Sequence, residues 1–156
     1  MKKVVVIGSD HAGFSLKNDL IKFLHSQHIE VEDMGTYNED SINFATIAQD
    51  VAKNVAANKD KKGILVCGTG IGMSMMANKI AGIRAALVHD LFSAKATREH
   101  NDANILCMGA RIIAPAMAVE IMKVWLDTEF LGGKYGERIR FIEDYEQKHC
   151  LFSEKA

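Results

Sequence analysis

Residues 62–79 read Lys-Gly-Ile-Leu-Val-Cys-Gly-Thr-Gly-Ile-Gly-Met-Ser-Met-Met-Ala-Asn-Lys, and the fold prediction starts from this segment. The apolar run at 64–66 is short and continuous, which is typical of strands that are covered on both faces. Glycines alternate with other residues after Cys67, and Ala77 and the methionines after Gly72 then follow at a spacing compatible with a helix. The stretch therefore predicts a strand, a tight turn and a helix.

The glycine turn is also a candidate functional site. Gly68, Gly70 and Gly72 leave backbone N–H groups uncovered where a helix begins, and such groups can hold an anion. Cys67 and Thr69 flank this pocket. A helix N-terminus favours the thiolate form of a cysteine, so Cys67 is a candidate proton acceptor. Cysteine at the end of a core strand is also commonly just a small buried side chain, and this alternative stands beside the chemical one.

The turn does not match either of the two common glycine motifs for nucleotides. A dinucleotide fingerprint needs a third glycine where this chain has Met73. A Walker A loop needs Gly-Lys-Ser/Thr at a fixed offset, which neither residues 8–14 nor residues 68–74 supply. The sequence therefore supports neither NAD nor ATP as a cofactor.

The composition indicates one globular domain with a small-molecule ligand. The chain has 156 residues, of which 48% are hydrophobic and 25% are charged, and this length can bury a substantial core. The net charge of −1, with acidic and basic residues interspersed, does not favour nucleic acid as a partner.

The cysteines and the N-terminus favour a cytoplasmic protein. Cys67, Cys107 and Cys150 are odd in number and lack the C-x-x-C spacing of a metal or redox site, so free thiols in a reducing compartment are expected. The first apolar run stops at Gly8, too early for a signal peptide, and no run is long enough for a membrane span.

Strands and helices alternate along the whole chain. Apolar runs predict strands at 4–7, 29–34, 64–66, 84–88 and 105–108. Amphipathic spacing predicts helices over about 14–24, 44–57 and 92–99, and one that runs from the methionines after Gly72 and is closed by Gly82. It also predicts another that begins near Pro115 and a last one from about 137 to the C-terminus. This pattern predicts a three-layer α/β/α sandwich, with a Rossmann-like five-stranded parallel sheet and a C-terminal helix.

Polar residues follow the predicted strands. Asp10 and His11 follow the first strand, the glycine turn follows the third, His89 and Asp90 follow the fourth, and Arg111 follows the fifth. Ligands of such sheets bind at the carboxyl ends of the strands, so this edge is the predicted binding site.

Six blocks of sequence occur in a fixed order. They are Gly-Ser-Asp-His-Ala-Gly-Phe at 8–14, Cys-Gly-Thr-Gly-Ile-Gly at 67–72, Ala-Asn-Lys at 77–79, Gly-Ile-Arg-Ala at 82–85, Arg-Glu-His-Asn-Asp-Ala-Asn at 98–104 and Gly-Ala-Arg at 109–111. Together they resemble the type B ribose-5-phosphate isomerase family, which also includes the galactose-6-phosphate isomerase subunits. The resemblance spans nearly the whole chain.

The resemblance implies an enzyme of the non-oxidative pentose phosphate pathway. It would interconvert D-ribose 5-phosphate and D-ribulose 5-phosphate through ring opening and an enediolate, without a metal or an organic cofactor. It also implies a homodimer or a tetramer whose active sites are shared between subunits, with His100 and the phosphate-binding arginines facing the neighbour's Cys67.

The resemblance also implies roles for individual residues. Cys67 would be the base that moves the proton between carbons 1 and 2, His100 would open the furanose ring, and Thr69 could orient the ring oxygen or its proton. Asn101 and the backbone of the glycine turn would hold the enediolate oxygens. The implied substrate-binding residues are Asp10, His11, Gly68, Gly70, Ile71, Gly72, Asn101, Arg111, Lys134 and Arg138.

The chain departs from the family pattern at three places. Met73 stands where one branch carries a catalytic glutamate, so the base role falls to Cys67. Lys134 stands where many members have arginine, and because an ammonium lacks the bidentate geometry of a guanidinium, a higher KM is expected. Asn-Phe-Ala at 43–45 replaces the common Asp-Tyr-Pro, and Phe44 lacks a hydroxyl that could contact sugar.

Two alternatives remain open. The protein could isomerise a six-carbon phosphosugar such as allose 6-phosphate or galactose 6-phosphate, or it could be a phosphosugar-binding module without turnover. The remaining candidates receive structural interpretations: Cys107 and Cys150 as packing residues, the methionines at 73, 75 and 76 as core or interface, and His25, His28 and His149 as exposed residues.

Overall fold

The computed structural model describes residues 4–149. Cys150 and the predicted end of the last helix lie outside the described residues. The strands are β1 (Val4–Ser9), β2 (Glu30–Asp33), β3 (Lys61–Cys67), β4 (Ala85–Leu87) and β5 (Ile105–Gly109). The helices are α1 (Phe14–Ser26), α2 (Phe44–Ala57), α3 (Ile71–Ala77), α4 (Leu91–Asn101), α5 (Pro115–Asp127) and α6 (Lys134–His149).

The strands form one parallel sheet in the order β2-β1-β3-β5-β4. The central strand is β3, and its residues Ile64, Leu65 and Val66 are completely buried, as their continuous apolar run predicts. The strand order reverses between β1 and β3, because the chain leaves β1 for β2 on one side and returns to β3 on the other. Ligands of such sheets bind beside this reversal, at the carboxyl ends of the two strands.

Helices cover both faces of the sheet, which confirms the predicted three-layer sandwich. On one face α1, α4 and α5 contribute buried residues such as Leu20, Ala94 and Trp125. On the other face α2 and α3 contribute residues such as Val51 and Met73. Fully burying one large aliphatic or aromatic side chain contributes about 1.5–3 kcal/mol, so the two apolar layers provide the main driving force for folding.

A partly buried ion pair joins α1 to the end of β2. The Nζ of Lys17 donates to Oδ1 of Asp33 at 2.6 Å, and the Lys17 side chain has no exposed area. The ammonium also lies 5.6 Å from the ring centre of Phe14 and 5.4 Å from that of Tyr37. Oδ1 of Asp33 accepts from the N–H of Gly35 as well, so this pair fixes the start of the loop that leads to α2.

The last helix begins at Lys134, before the predicted start near residue 137. Gly132 and Gly133 have φ of +66° and +54°, and their carbonyls accept the first N–H groups of the helix. Ile139 is buried, whereas Ile142 and Tyr145 are 45% and 60% exposed. Among residues 4–149, none of the helices combines the length and the hydropathy that crossing a membrane requires.

Candidate active site

The Cys67 thiol lies at the carboxyl end of the central strand and is only 6% exposed. Its Sγ accepts the backbone N–H of Gly70 at 3.0 Å. Gly70 has φ of +76°, and a Cβ there would lie 2.6 Å from Cδ1 of Leu87 and 2.9 Å from the carbonyl carbon of Met108. Only glycine fits this position, and its N–H stabilises negative charge on the sulfur.

Two backbone N–H groups of the turn already donate hydrogen bonds to side chains of the turn itself. The Gly70 N–H is committed to Cys67, and the Ile71 N–H donates to Oγ1 of Thr69 at 3.3 Å. The sequence predicts that the turn leaves its N–H groups free for an anion, and for these two groups that prediction is wrong. The Thr69 side chain is thereby oriented by the first residue of α3.

The segment after β5 lies directly against the turn. The N–H of Ala110 donates to the carbonyl of Cys67 at 2.8 Å, and the N–H of Arg111 donates to that of Gly68 at 3.0 Å. The Arg111 guanidinium extends over Gly68, where an added Cβ would lie 3.4 Å from Nη1. The structure therefore brings the exposed Arg111 side chain to the Cys67 turn of its own chain, as its place after the fifth strand predicts. The expectation that the phosphate-binding arginines face only the neighbour's Cys67 is wrong for Arg111.

The loop after β1 completes this edge. The N–H of Asp10 donates to the carbonyl of Val66, and Oδ1 of Asp10 accepts the N–H of Gly13 at 3.0 Å. A Cβ on Gly13 would lie 2.4 Å from the Val66 oxygen, so the loop contacts β3 closely. Nδ1 of His11 accepts the N–H of Ile42 at 3.2 Å, which ties this loop to the segment before α2.

Phe44 is a site residue whose contact the sequence did not predict. Its ring lies on Gly72, where an added Cβ would be 2.7 Å from two ring carbons. The side chain is 39% exposed at the start of α2. Phe44 therefore forms a wall beside the glycine turn, and Met73, fully buried behind that turn, presents no polar group there. We call Cys67, Thr69, Arg111, Asp10 and His11 the Cys67 cluster.

A second group of predicted residues lies between α4 and α6. The imidazole of His100 stacks on the ring of Tyr135, with centroids 4.4 Å apart and an angle of 20° between the planes. Nζ of Lys134 and Cζ of Arg138 lie 5.2 Å and 5.6 Å from the same tyrosine ring. Asn101 follows His100 at the exposed end of α4. We call these residues the His100 cluster; Tyr135 was missed because nothing in the sequence marks its position between the cations.

Within one chain, the two clusters lie at opposite ends of the strands. Helix α4 starts after the carboxyl end of β4 and ends before the amino end of β5, so His100 lies near the amino edge. In the sheet register Ile105 pairs with Gly63, and Gly109 pairs with Cys67. At about 3.3 Å per residue, these pairs are about 13 Å apart along the strands. One chain therefore does not bring His100 to Cys67.

Other cysteine and histidine side chains have surroundings that fit structural or surface roles. Burial raises the pKa of the Cys107 thiol far above its usual range, which fits its predicted role as a packing residue. His25, His28 and His149 are exposed, as predicted, and Met75 is 66% exposed while Met73 is buried. In the described part of the chain, histidine, cysteine and carboxylate side chains form no group of three or more that could hold a metal ion.

Comparison with known proteins identifies the family. The model of the Ribose/Galactose Isomerase family matches residues 5–142, and the chain belongs to this family. It is 43% identical to ribose-5-P isomerase B of Listeria innocua over 145 residues, which cover 93% of this chain and 98% of that protein.

Solved structures agree with this assignment. The ribose-5-phosphate isomerase B of Clostridium thermocellum is 41% identical with a TM-score of 0.91, covering 93% of this chain and 98% of that one. The ribose-5-phosphate isomerase B of Mycoplasma genitalium, solved with bound ribulose-5-phosphate, is 36% identical with a TM-score of 0.91, covering 95% and 99%.

Proposed function

We propose that this protein interconverts D-ribose 5-phosphate and D-ribulose 5-phosphate. The observation that carries the proposal is the Cys67 thiol, which accepts the Gly70 N–H at the carboxyl end of the central strand, in a chain of the Ribose/Galactose Isomerase family. Support for the substrate comes from the related Mycoplasma genitalium structure, which was solved with ribulose-5-phosphate. We further propose that the enzyme serves the non-oxidative pentose phosphate pathway in the cytoplasm.

The proposed reaction moves one proton between neighbouring carbons. The Cys67 thiolate takes the proton from carbon 2 of the open-chain aldose, and the electron pair forms an enediolate with negative charge on the carbon 1 oxygen. The same thiol then returns the proton to carbon 1 while the hydroxyl proton of oxygen 2 passes to oxygen 1, so that carbon 2 becomes the carbonyl. Fixed donors around such a charge are usually a large catalytic term, and Asn101 and the backbone N–H groups of Gly68 to Gly72 that remain uncommitted would supply them.

The proposed substrate contacts come from both clusters. His100 would protonate the ring oxygen and open the furanose, with Thr69 orienting that oxygen. Arg111, Lys134, Arg138 and His11 would bind the phosphate, and Asp10 would bind the sugar. Because His100 and Cys67 lie at opposite edges of one chain, these contacts require a second copy.

We therefore propose a homodimer with two shared sites, which a tetramer could repeat. In each site, one protomer would contribute the Cys67 cluster and its partner would contribute the His100 cluster. An isologous contact between identical subunits generates two such sites by symmetry.

Steady-state kinetics with three substrates tests the proposed function. We would measure kcat/KM for ribose 5-phosphate, allose 6-phosphate and galactose 6-phosphate in the presence of EDTA. The proposal predicts the highest value for ribose 5-phosphate. A higher value for a hexose phosphate would keep the chemistry and change the substrate, whereas saturable binding without turnover would overturn the enzyme assignment.

Two matched cysteine variants test the proposed base. Cys67→Ala should lower kcat by roughly a hundredfold or more, as expected for the loss of a positioned base. Cys107→Ala makes the same change at a thiol that has no exposed area on the neighbouring strand, and it should leave kcat near the wild-type value. Near-normal turnover by Cys67→Ala would contradict the assignment.

A further inference from the structure

His89 makes a hydrogen bond that ties the end of β4 to the end of β5. Its Nε2 accepts the backbone N–H of Gly109 at 2.9 Å. Only a neutral imidazole with its proton on Nδ1 can accept at Nε2, so this contact defines both the charge and the tautomer of the ring. Neither charge nor tautomer follows from the sequence, which places His89 only at a strand end.

Gly109 lies directly against the glycine turn that follows Cys67. It pairs with Cys67 in the sheet register. A Cβ on Gly109 would lie 2.7 Å from the Cα, carbonyl carbon and oxygen of Thr69, so the two backbones are in direct contact. The next two N–H groups, of Ala110 and Arg111, donate to the carbonyls of Cys67 and Gly68. A shift of Gly109 would therefore displace both the thiol-bearing turn and Arg111.

We infer that His89 is a positioning residue for the isomerase reaction: its neutral imidazole holds Gly109, and through Gly109 it holds Cys67, Thr69 and Arg111 in place. The inference rests on the proposed function, because it assigns the effect to that reaction. His89 makes no proton transfer to substrate in this scheme. Protonation turns Nε2 into a donor that faces the Gly109 N–H, so the hydrogen bond is lost and the turn is released.

The surroundings of His89 set the direction of this pH dependence. Burial lowers the pKa of His89, and the Asp90 carboxylate opposes that shift. Asp90 caps α4 by accepting the Ser93 N–H at 2.7 Å, and this bond lowers the pKa of Asp90, so it stays ionised. On the two strands that end beside the ring, the ionisable side chains at or within two residues of Gly109 and its sheet partner are Cys107, Arg111 and Cys67.

The sign of the effect follows from these shifts. An ordinary histidine titrates near about pH 6.5. Burial in the folded protein lowers the pKa of His89 below that value, so the neutral form is favoured. The hydrogen bond is therefore intact at and above the ordinary value, and it is lost only as the pH falls through the lowered pKa of His89. Activity should decline over the same acidic range.

Variants of His89 separate the hydrogen bond from the histidine itself. In His89→Gln, the amide oxygen takes the place of Nε2 and accepts the Gly109 N–H at every pH. In His89→Leu, no acceptor remains. His25→Gln is the matched control, because His25 is exposed in the last turn of α1, where the chain leads to the amino end of β2.

The experiment follows the Gly109 amide by NMR and kcat/KM between pH 5 and 8. In the wild type and in His25→Gln, the amide resonance and one acidic step in kcat/KM should share a midpoint below about 6.5. In His89→Gln, that shared step should vanish from the Gly109 amide titration and from the pH profile of kcat/KM. His89→Leu should have about tenfold lower kcat/KM at pH 7.5, because a partly buried N–H loses its acceptor.

The outcomes distinguish this inference from the proposed function. A step in kcat/KM at the midpoint of the Gly109 amide titration that persists in His89→Gln, or a Gly109 amide that does not titrate, overturns the role of His89. A wild type that is inactive on every phosphosugar while its Gly109 amide titrates overturns the proposed function and supports the hydrogen-bond device. Equal activity of His89→Leu and wild type at pH 7.5 overturns the positioning role.

Discussion

At the scale of single residues, glycines determine how the Cys67 thiol is presented. Gly70 brings its N–H to the sulfur with a positive φ and leaves no room for a Cβ. Gly109 lets the neighbouring strand approach the backbone of Thr69. These contacts require the absence of a side chain. The glycine spacing in the sequence predicts a turn, but it does not indicate which backbone segments pack against that turn.

Gly70→Ala tests whether this packing supports catalysis. The variant needs a left-handed alanine and forces a Cβ against Leu87 and Met108, so the turn must move and the bond to the Cys67 sulfur is lost. We expect kcat to fall by about tenfold or more and the melting temperature to fall as well.

Gly82→Ala is the matched control for that variant. Gly82 has φ of +80°, but nothing lies within 4 Å of an added Cβ. It should cost about 1 kcal/mol of stability and leave kcat near the wild-type value. Equal losses of kcat in the two variants would contradict a specific role for the Gly70 packing.

At the scale of elements, helix and strand positions follow closely from the sequence. Helix α2 has the predicted bounds because its apolar face is regular and Asn43 caps it, with Oδ1 accepting the Ala45 N–H at 2.9 Å. Strand β2 is shorter than predicted and α6 starts earlier, since sheet pairing and the two glycines before α6 set those ends. Local patterns predict elements but carry little information about their exact ends.

Contacts between distant elements could not be predicted in the same way. The sequence indicates that polar residues gather at the carboxyl edge, and the Cys67 cluster confirms this for one chain. It does not indicate that Phe44 lies on Gly72, that Tyr135 stacks on His100, or that His89 accepts the Gly109 N–H. Each depends on how two helices or loops pack across the sheet, and no local pattern encodes that geometry.

The ion pair between α1 and β2 makes a prediction at this scale. Lys17→Met removes a fully buried ammonium and leaves Asp33 without its charged partner, so we expect a loss of about 2 kcal/mol in the free energy of unfolding. Urea denaturation measures this loss.

Lys22→Met is the control on the same helix. The Lys22 side chain is 79% exposed, and its contact with Asp19 is 3.8 Å long, so its removal should change stability little. If Lys17→Met were as stable as Lys22→Met, the ion pair would not be holding β2 and the following loop to α1.

At the scale of the whole molecule, one chain holds the two clusters of the proposed shared site at opposite ends of the strands. The Cys67 cluster lies at the carboxyl edge of the sheet and the His100 cluster near the amino edge. The apolar side chains that remain exposed include Met75, Leu87 and Phe92, which lie on α3, β4 and α4. In the proposed dimer, a second copy would cover these side chains and bring its His100 cluster to the Cys67 cluster of the first.

Complementation between two inactive variants is the sharpest test of a site shared between two copies. Cys67→Ala and His100→Ala would be produced separately and also together in one cell, and ribose 5-phosphate turnover would be compared with that of the wild type. In a mixed dimer, one site receives an intact Cys67 from one copy and an intact His100 from the other. Random pairing puts half of the dimers in this state with one working site each, so we predict about a quarter of wild-type activity in the co-produced sample and almost none in either variant alone. An inactive co-produced sample that contains mixed dimers would contradict a site shared between two copies.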